Sequence, residues 1–188
     1  MPKPANYGNN KGNNPFDVSS KTTWRGGEQQ MIYLAKHGRQ PGFRHVLFLP
    51  EQSASARQAA AEGLETCLYP LHGKLSLFAS VPFRLAKAAR QTHACLVHCH
   101  DSDAHTLALA SRHLAGMRLP IVVSRRVDFP VGRNPLSAWK YKHSAVVKYL
   151  CVSNCILSIL ARTVSDARKL EVVHSGIDPS RFPFRSPA

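Results

Sequence analysis

The sequence lacks several features that mark common classes of protein. It has no C-x-x-C pair, and its five cysteines are an odd number, which does not fit a fully paired disulfide framework. It has no apolar stretch long enough to span a bilayer, and its amino terminus is too polar for a signal peptide. We therefore expect a cytoplasmic protein whose contact with membranes, if it has any, is peripheral at the inner face.

Acidic residues are also scarce. There are 11 Asp and Glu against 25 Lys and Arg, so the net charge is +14 and the pI is near 10.1. Such a balance favours anionic partners, including nucleic acid, acidic lipid headgroups and phosphorylated sugars. The basic residues are scattered and do not alternate with aromatic residues, so we expect no specific nucleic acid partner. A non-catalytic basic interaction module stays open as one interpretation.

The chain is predicted to be one α/β domain behind a polar leader. Residues 1–15 are mostly Asn, Gly, Pro and Lys and are expected to be disordered, whereas 16–188 has the length of a single domain. Short apolar runs predict strands over 16–18, 45–49, 66–68, 94–99, 121–124, 149–152 and 170–173. Helical patterns predict helices over 28–37, 53–62, 82–92, 104–114, 137–146 and 155–163. This alternation indicates a doubly wound, mostly parallel sheet with helices on both faces.

The first predicted strand is a poor one for the centre of a sheet. Only Phe16 and Val18 are apolar, with Asp17 between them. A weak central strand leaves neighbouring strands without partners, so we expect the sheet to be rearranged or completed by another chain.

Polar residues follow four of the predicted strands. Gly26-Gly27 comes after the first strand and opens a helix, an arrangement that suits an anion because the backbone can approach it closely. The fourth, fifth and sixth predicted strands are followed by His98-Cys99-His100-Asp101, Arg125-Arg126 and Ser153-Asn154, respectively. The carboxyl ends of parallel strands lie at one edge of the sheet, so we predict a single ligand cleft there.

Five segments in this order and spacing carry a resemblance to a known family. They are TWRGGEQQ (23–30), LVHCHDSDAH (96–105), IVVSRRVDF (121–129), YLCVSN (149–154) and VVHSGIDPSRF (172–182). Together they resemble the N-terminal domain of retaining GT-B glycosyltransferases, over roughly 16–184. In particular, the chain is similar to the large bacterial group that transfers sugars from nucleotide sugars to lipid, lipopolysaccharide or small-molecule acceptors.

The resemblance implies roles for specific positions. Gly26 and Gly27 would lie against the donor phosphates together with Arg125 and Ser153. The catalytic candidates, which would face the acceptor and the donor sugar, are His98, His100, Asp101 and Arg126. Such a transfer depends on electrostatic stabilisation of the leaving phosphate and of an oxocarbenium-like sugar. The implied partners are a nucleotide sugar and a glycan or lipid acceptor, and no cofactor is expected.

The family continues after Gly176-Ile177-Asp178 into a second domain that holds most of the nucleotide-sugar site, whereas this sequence stops at Ala188. We therefore expect the chain alone to be weak or inactive. We also expect a homo-oligomer or a separate chain to cover the face that the second domain would cover.

A metal-dependent hydrolase is the alternative enzyme. His98, His100, Asp101, Asp103 and His105 lie within eight residues, and His174 is a distant fourth imidazole. Imidazole and carboxylate ligands suit zinc or a related divalent ion, with His98, His100, Asp103 and His105 as the expected set. The competing interpretation is that Asp101 or Ser102 caps a helix and that the histidines are polar residues of the cleft.

Overall fold

The computed structural model describes residues 13–71, 79–132 and 135–179. Seven parallel strands form one sheet in the spatial order β3-β2-β1-β4-β5-β6-β7. In chain order they are β1 (Asn14–Val18), β2 (Val46–Pro50), β3 (Glu65–Tyr69), β4 (Ala94–Cys99), β5 (Ile121–Arg125), β6 (Val146–Cys151) and β7 (Leu170–Val172). The order reverses between β1 and β4, and this is the point at which doubly wound folds place their ligands.

Six α-helices lie between the strands of the described ranges. They are α1 (Gly26–His37), α2 (Ala54–Ala61), α3 (Val81–Gln91), α4 (Ser102–Ala115), α5 (Pro135–Lys142) and α6 (Asn154–Ala161), and a 3-10 helix (Ala167–Lys169) precedes β7. Over residues 13–71, 79–132 and 135–179, none of the helices has both the length and the apolar character needed to cross a membrane.

Two apolar cores cover the two faces of the sheet. Leu47 and Leu49 of β2 pack with the buried residues of α1 and α2, while Val46 and Phe48 of the same strand join the larger core under α3 and α4. Alternate residues of a strand point to opposite faces, so one apolar strand contributes to both cores. This explains why the strand sequences are apolar throughout and confirms the predicted α/β class.

The expectation of an incomplete central strand was wrong. β1 is fully buried, pairs with β2 through Phe16–Val18 and with β4 through Asn14–Val18, and needs no second chain. The strand begins at Asn14, inside the predicted leader, whose residues 1–12 lie outside the described ranges. Its polar residues are satisfied by partners far along the chain, since the Asn14 side chain donates to the Thr92 carbonyl at 3.0 Å.

Most predicted elements lie within three residues of the observed bounds, and the largest difference is at α5. The predicted helix 137–146 ends at Lys142, and Val146 already belongs to β6. A turn separates the two, in which the Val146 N–H donates to the His143 carbonyl and the Ala145 N–H donates to His143 Nδ1. The valines at 146 and 147 favour a strand because branching at Cβ suits an extended backbone.

Candidate functional site

Two adjoining clefts open at the carboxyl edge of the sheet. The larger holds about 650 Å³ and is lined by the amino end of α1 together with His100 and Arg125. The smaller holds about 330 Å³ and lies between α1, His98 and the segment after β7. Ser124 and Arg126 line both clefts. Three of the four predicted groups at strand ends therefore meet at these clefts, namely Gly26-Gly27, the group at 98–101 and Arg125-Arg126.

The amino end of α1 forms one wall of the larger cleft. Its cap residue, Arg25, has an extended backbone and makes no capping hydrogen bond through its side chain. A Cβ atom added at Gly26 or Gly27 would meet nothing within 4 Å, so the fold itself does not require glycine at either position. Free N–H groups at a helix start attract anions. The open space beside the two glycines leaves room for a bound group to approach that backbone.

The two arginines at the end of β5 differ in their contacts. Arg125 is held in place: its guanidinium donates to the Tyr141 hydroxyl at 2.6 Å and to the Phe129 carbonyl. Arg126 Nη1, by contrast, is buried without a hydrogen-bond partner among the described residues. Burial lowers the pKa of Arg126, and the nearby carboxylates of Glu28 and Asp17 oppose that shift. Arg126 is therefore a positively charged group with unused donor capacity at the junction of both clefts.

A buried carboxylate lies at the base of the site. Asp17 is fully buried in β1 and is contacted by three histidines: His45 Nδ1 at 2.5 Å, His98 Nδ1 at 3.1 Å and His100 Nε2 at 2.7 Å. Burial alone would raise the pKa of Asp17, but hydrogen bonds from His100, His45 and His98 hold it well below its usual value. Asp17 is thus an anion that accepts all three N–H groups.

The neighbouring imidazoles are arranged around that anion. Burial lowers the pKa of His100 to about 3, and the adjacent His98 ring adds to the shift while Asp17 opposes it. The rings of His98 and His100 lie 4.1 Å apart. His98 Nε2 is 2.8 Å from the Ser124 hydroxyl. His98 Nδ1 lies 3.1 Å from the Asp17 anion. In a neutral His98 ring this contact favours the proton on Nδ1, and Nε2 then accepts the Ser124 hydrogen bond.

Asp101 lines the larger cleft, but both of its carboxylate oxygens are engaged in hydrogen bonds within the fold. Its Oδ1 accepts the backbone N–H groups of Asp103 and Ala104 at the start of α4, and the Ser20 hydroxyl at 2.6 Å. Its Oδ2 accepts from Ser19 and the Ser20 backbone. A carboxylate this fully engaged is a helix cap, and it ties the segment after β1 to the segment after β4.

The expected metal set does not assemble. Among the described residues, the cluster with metal-ligand potential is Asp17, His98 and His100, whose donor atoms lie within 4.8 Å of one another. Asp103 instead forms an ion pair with Lys21 at 2.8 Å, and His105 is buried against two tyrosine rings. His174 is exposed and contacts the Val152 carbonyl. The sequence interpretation was therefore wrong about Asp103 and His105 as co-ligands of the His98 pair.

The remaining predicted position, Ser153, caps α6. Its hydroxyl accepts the Ile156 N–H at 3.3 Å.

The segment after β7 is held against α1 by Gln30, whose side chain donates to the Gly176 carbonyl at 2.7 Å and accepts the Gly176 N–H at 3.0 Å. These two bonds place 175–178 beside the smaller cleft.

Sequence reasoning missed Asp17, His45 and Ser124 as members of the site. One signal was present: an acidic residue in the middle of an otherwise apolar strand must be paired once it is buried. The partners themselves follow only from the pairing of β1 with β4 and of β4 with β5.

Comparison with known proteins agrees with this architecture. The family model described as Glycosyltransferase Family 4 matches residues 24–181. No curated protein matches the sequence at a significant level.

Several solved structures share the fold. HepE from Anabaena in complex with UDP and glucose superposes with a TM-score of 0.70 at 14% identity, over 89% of this chain and 45% of that one. A glycosyltransferase from Rickettsia africae gives a TM-score of 0.72 at 14% identity, over 92% and 45%. The lipopolysaccharide outer core galactosyltransferase WaaB in its apo form gives 0.64 at 15% identity, over 87% and 46%. The chain thus spans less than half the length of these structures.

Proposed function

Because this chain belongs to glycosyltransferase family 4 and has the fold of the N-terminal domain of GT-B enzymes, we propose that it forms the acceptor-side half of a glycosyltransferase. In this proposal a sugar moves from a nucleotide sugar to a glycan, lipid or small-molecule acceptor. The observation that carries it is a pairing along the larger cleft. An α1 start with no side-chain cap, at Gly26-Gly27, lies there with the guanidinium of Arg126, whose Nη1 has no hydrogen-bond partner within residues 13–71, 79–132 and 135–179.

The chemistry of sugar transfer suits this pairing. As the bond between the sugar and the donor phosphate breaks, negative charge grows on the phosphate oxygens. Fixed N–H donors and cations that already point at this position stabilise that charge without having to reorganise. Gly26 and Gly27 supply backbone donors, and Arg126 supplies the charge. Arg125, anchored by Tyr141, keeps a second guanidinium next to Arg126.

The acceptor is assigned to the side of the site where His98 and His100 lie. In this assignment His100 Nδ1, which has no hydrogen-bond partner among the described residues, is the imidazole atom available to the transferred sugar. Asp101 positions the two histidines indirectly by fixing the start of α4. The smaller cleft adds apolar side chains from Leu34, Leu150 and Ile177, which suits an acceptor with an apolar portion. The net charge of +14 supports contact with an anionic acceptor or membrane surface.

Two structural relatives support a nucleotide-sugar donor. HepE was solved with UDP and glucose, and WaaB is a galactosyltransferase of the lipopolysaccharide outer core. The fold that they share with this chain supports the proposal of a nucleotide-sugar donor, and transfer by the chain itself is part of the same proposal.

Titration calorimetry with UDP and with uridine tests the donor assignment. We expect UDP to bind and uridine to bind at least tenfold more weakly, a difference of about 1.4 kcal/mol, because the phosphates supply the charge. Gly27→Val should remove the difference, since its side chain fills the open space beside the helix start. Arg118→Ala, on the exposed loop before β5 at the opposite edge of the sheet, is the matched control and should bind as the parent does.

Two results would contradict the proposal. Equal affinity of Gly27→Val and the parent for UDP would remove the anion site. The second result is that Gly27→Val and Arg118→Ala weaken UDP binding equally and that moderate salt abolishes it. Such binding would be only a general attraction to a basic surface.

A further inference from the structure

Ser124 has the surroundings of an activated hydroxyl. It occupies β5 one residue before the strand ends, and it lines both clefts although only 8% of its surface is exposed. Its Oγ lies 2.8 Å from His98 Nε2, within hydrogen-bonding range of a base. The hydroxyl and the base come from neighbouring strands, because β4 pairs with β5 at His98 and Val122. A sheet fixes such neighbours more rigidly than a loop would.

The base is in turn oriented by an acid. His98 Nδ1 lies 3.1 Å from Asp17 Oδ1, so the anionic carboxylate holds the proton on Nδ1 and leaves Nε2 free to accept the serine proton. Asp17 is itself held by His45 and His100 and is fully buried. The order of groups, hydroxyl to imidazole to carboxylate, is that of a nucleophilic serine, a general base and an orienting acid.

We propose that Ser124, His98 and Asp17 form a nucleophilic triad that hydrolyses carboxylic esters bound in the smaller cleft. This activity is separate from sugar transfer and does not rest on it. Ser124 Oγ bonds to the acyl carbon while His98 Nε2 takes the hydroxyl proton. The bond from the acyl carbon to the alcohol oxygen then breaks, and the alcohol leaves with the proton from His98. A water molecule, deprotonated by His98, then bonds to the acyl carbon. The bond between that carbon and Ser124 Oγ breaks, the acid leaves, and His98 returns the proton to the serine.

The cleft supplies the other requirements of this reaction. Arg126 Nη1 is buried with no hydrogen-bond partner in the described part of the chain, and Arg126 lines the same cleft, so it can stabilise the oxyanion that forms on attack. Leu34, Leu150 and Val173 line the cleft as well, and a volume of about 330 Å³ suits an ester with a short apolar acyl group.

Reaction with a fluorophosphonate probe tests the triad, because such probes modify activated serines. The Ser124 oxygen bonds to phosphorus, fluoride leaves, and His98 takes the proton. We expect peptide mapping to place the label on Ser124. Ser124→Ala and His98→Gln should each reduce labelling by at least about 100-fold, as loss of the nucleophile or the base does in other triads. Hydrolysis of p-nitrophenyl butyrate should fall in parallel.

Ser158→Ala is the matched control, because Ser158 is an exposed serine on α6, outside both clefts, and its loss should leave labelling and hydrolysis unchanged. Ser124→Ala removes only a hydroxyl, so an unchanged melting temperature shows that the variant is folded. Absence of label on Ser124 in the parent protein would overturn the proposal. Labelling and hydrolysis that are as strong in Ser124→Ala as in the parent would overturn it as well.

Discussion

Replacing His105 should make the protein both more stable and less sensitive to acid. The ring is fully buried on α4, lies edge-on to Tyr141 and Tyr149 at 5.4 and 6.2 Å, and neither nitrogen has a hydrogen-bond partner among the described residues. Burial lowers the pKa of His105 well below its usual value, and the charges of Lys140 and His143 lower it further.

The direction of the pH effect follows from that shift. Below about pH 6.5 the unfolded chain protonates this histidine while the folded chain does not, so stability falls as the pH falls. Each pH unit is worth about 1.4 kcal/mol, so the loss between pH 6.5 and 5.0 is about 2 kcal/mol. His105→Leu should avoid that loss. At pH 7.5 it should also gain about 1 kcal/mol, because two unpaired polar atoms are no longer buried.

Urea unfolding at pH 7.5 and pH 5.0 measures both effects. His105→Gln is the matched control: it keeps a polar side chain but cannot titrate, so it should lose the part of the acid sensitivity that His105 contributes, without the gain at pH 7.5. The reasoning is refuted if wild type and His105→Leu lose the same free energy of unfolding between the two pH values.

Two further stability predictions concern backbone and capping. Gly38→Ala should lower the free energy of unfolding by about 1–3 kcal/mol, because the new Cβ would lie 2.6 Å from the Leu34 carbonyl and 2.8 Å from His45 Nε2. In the same urea experiment Gly27→Ala should change it by no more than about 0.5 kcal/mol, since nothing lies within 4 Å of a Cβ added there. Asp101→Ala should lower the free energy of unfolding by about 2 kcal/mol or more, since it removes the cap of α4 and the hydrogen bonds to the segment after β1. The melting temperature should therefore fall by several degrees. An unchanged melting temperature would mean that the cap contributes nothing.

The fold was predictable because its signals are local. Alternating apolar runs and helical patterns indicated a parallel sheet, and runs such as Ile121-Val122-Val123 are apolar on both faces. The carboxyl-edge cleft followed from the same pattern. β1 was the exception, because its stability comes from partners far along the chain: Asp17 is satisfied by His98 and His100, more than 80 residues away.

The site was predictable only where its residues follow strand ends. His105 seemed to belong with His98 because the two are close in sequence. The helix that begins after Asp101 turns that side chain into the core, against the rings of Tyr141 and Tyr149. Ser124 gave no signal of its own, since a serine in a strand is ordinary until strand order places a histidine opposite it.

Amide hydrogen exchange measured by NMR shows whether the start of α1 receives the phosphates of a nucleotide sugar. With UDP bound, the backbone amides of Gly26, Gly27 and Glu28 should exchange more slowly, while those of Gly116 and Met117 at the opposite edge of the sheet should not change. Phosphate binding at the start of α1 would be contradicted if saturating UDP leaves exchange at these three amides unchanged. It would also be contradicted if UDP slows exchange equally at both edges of the sheet.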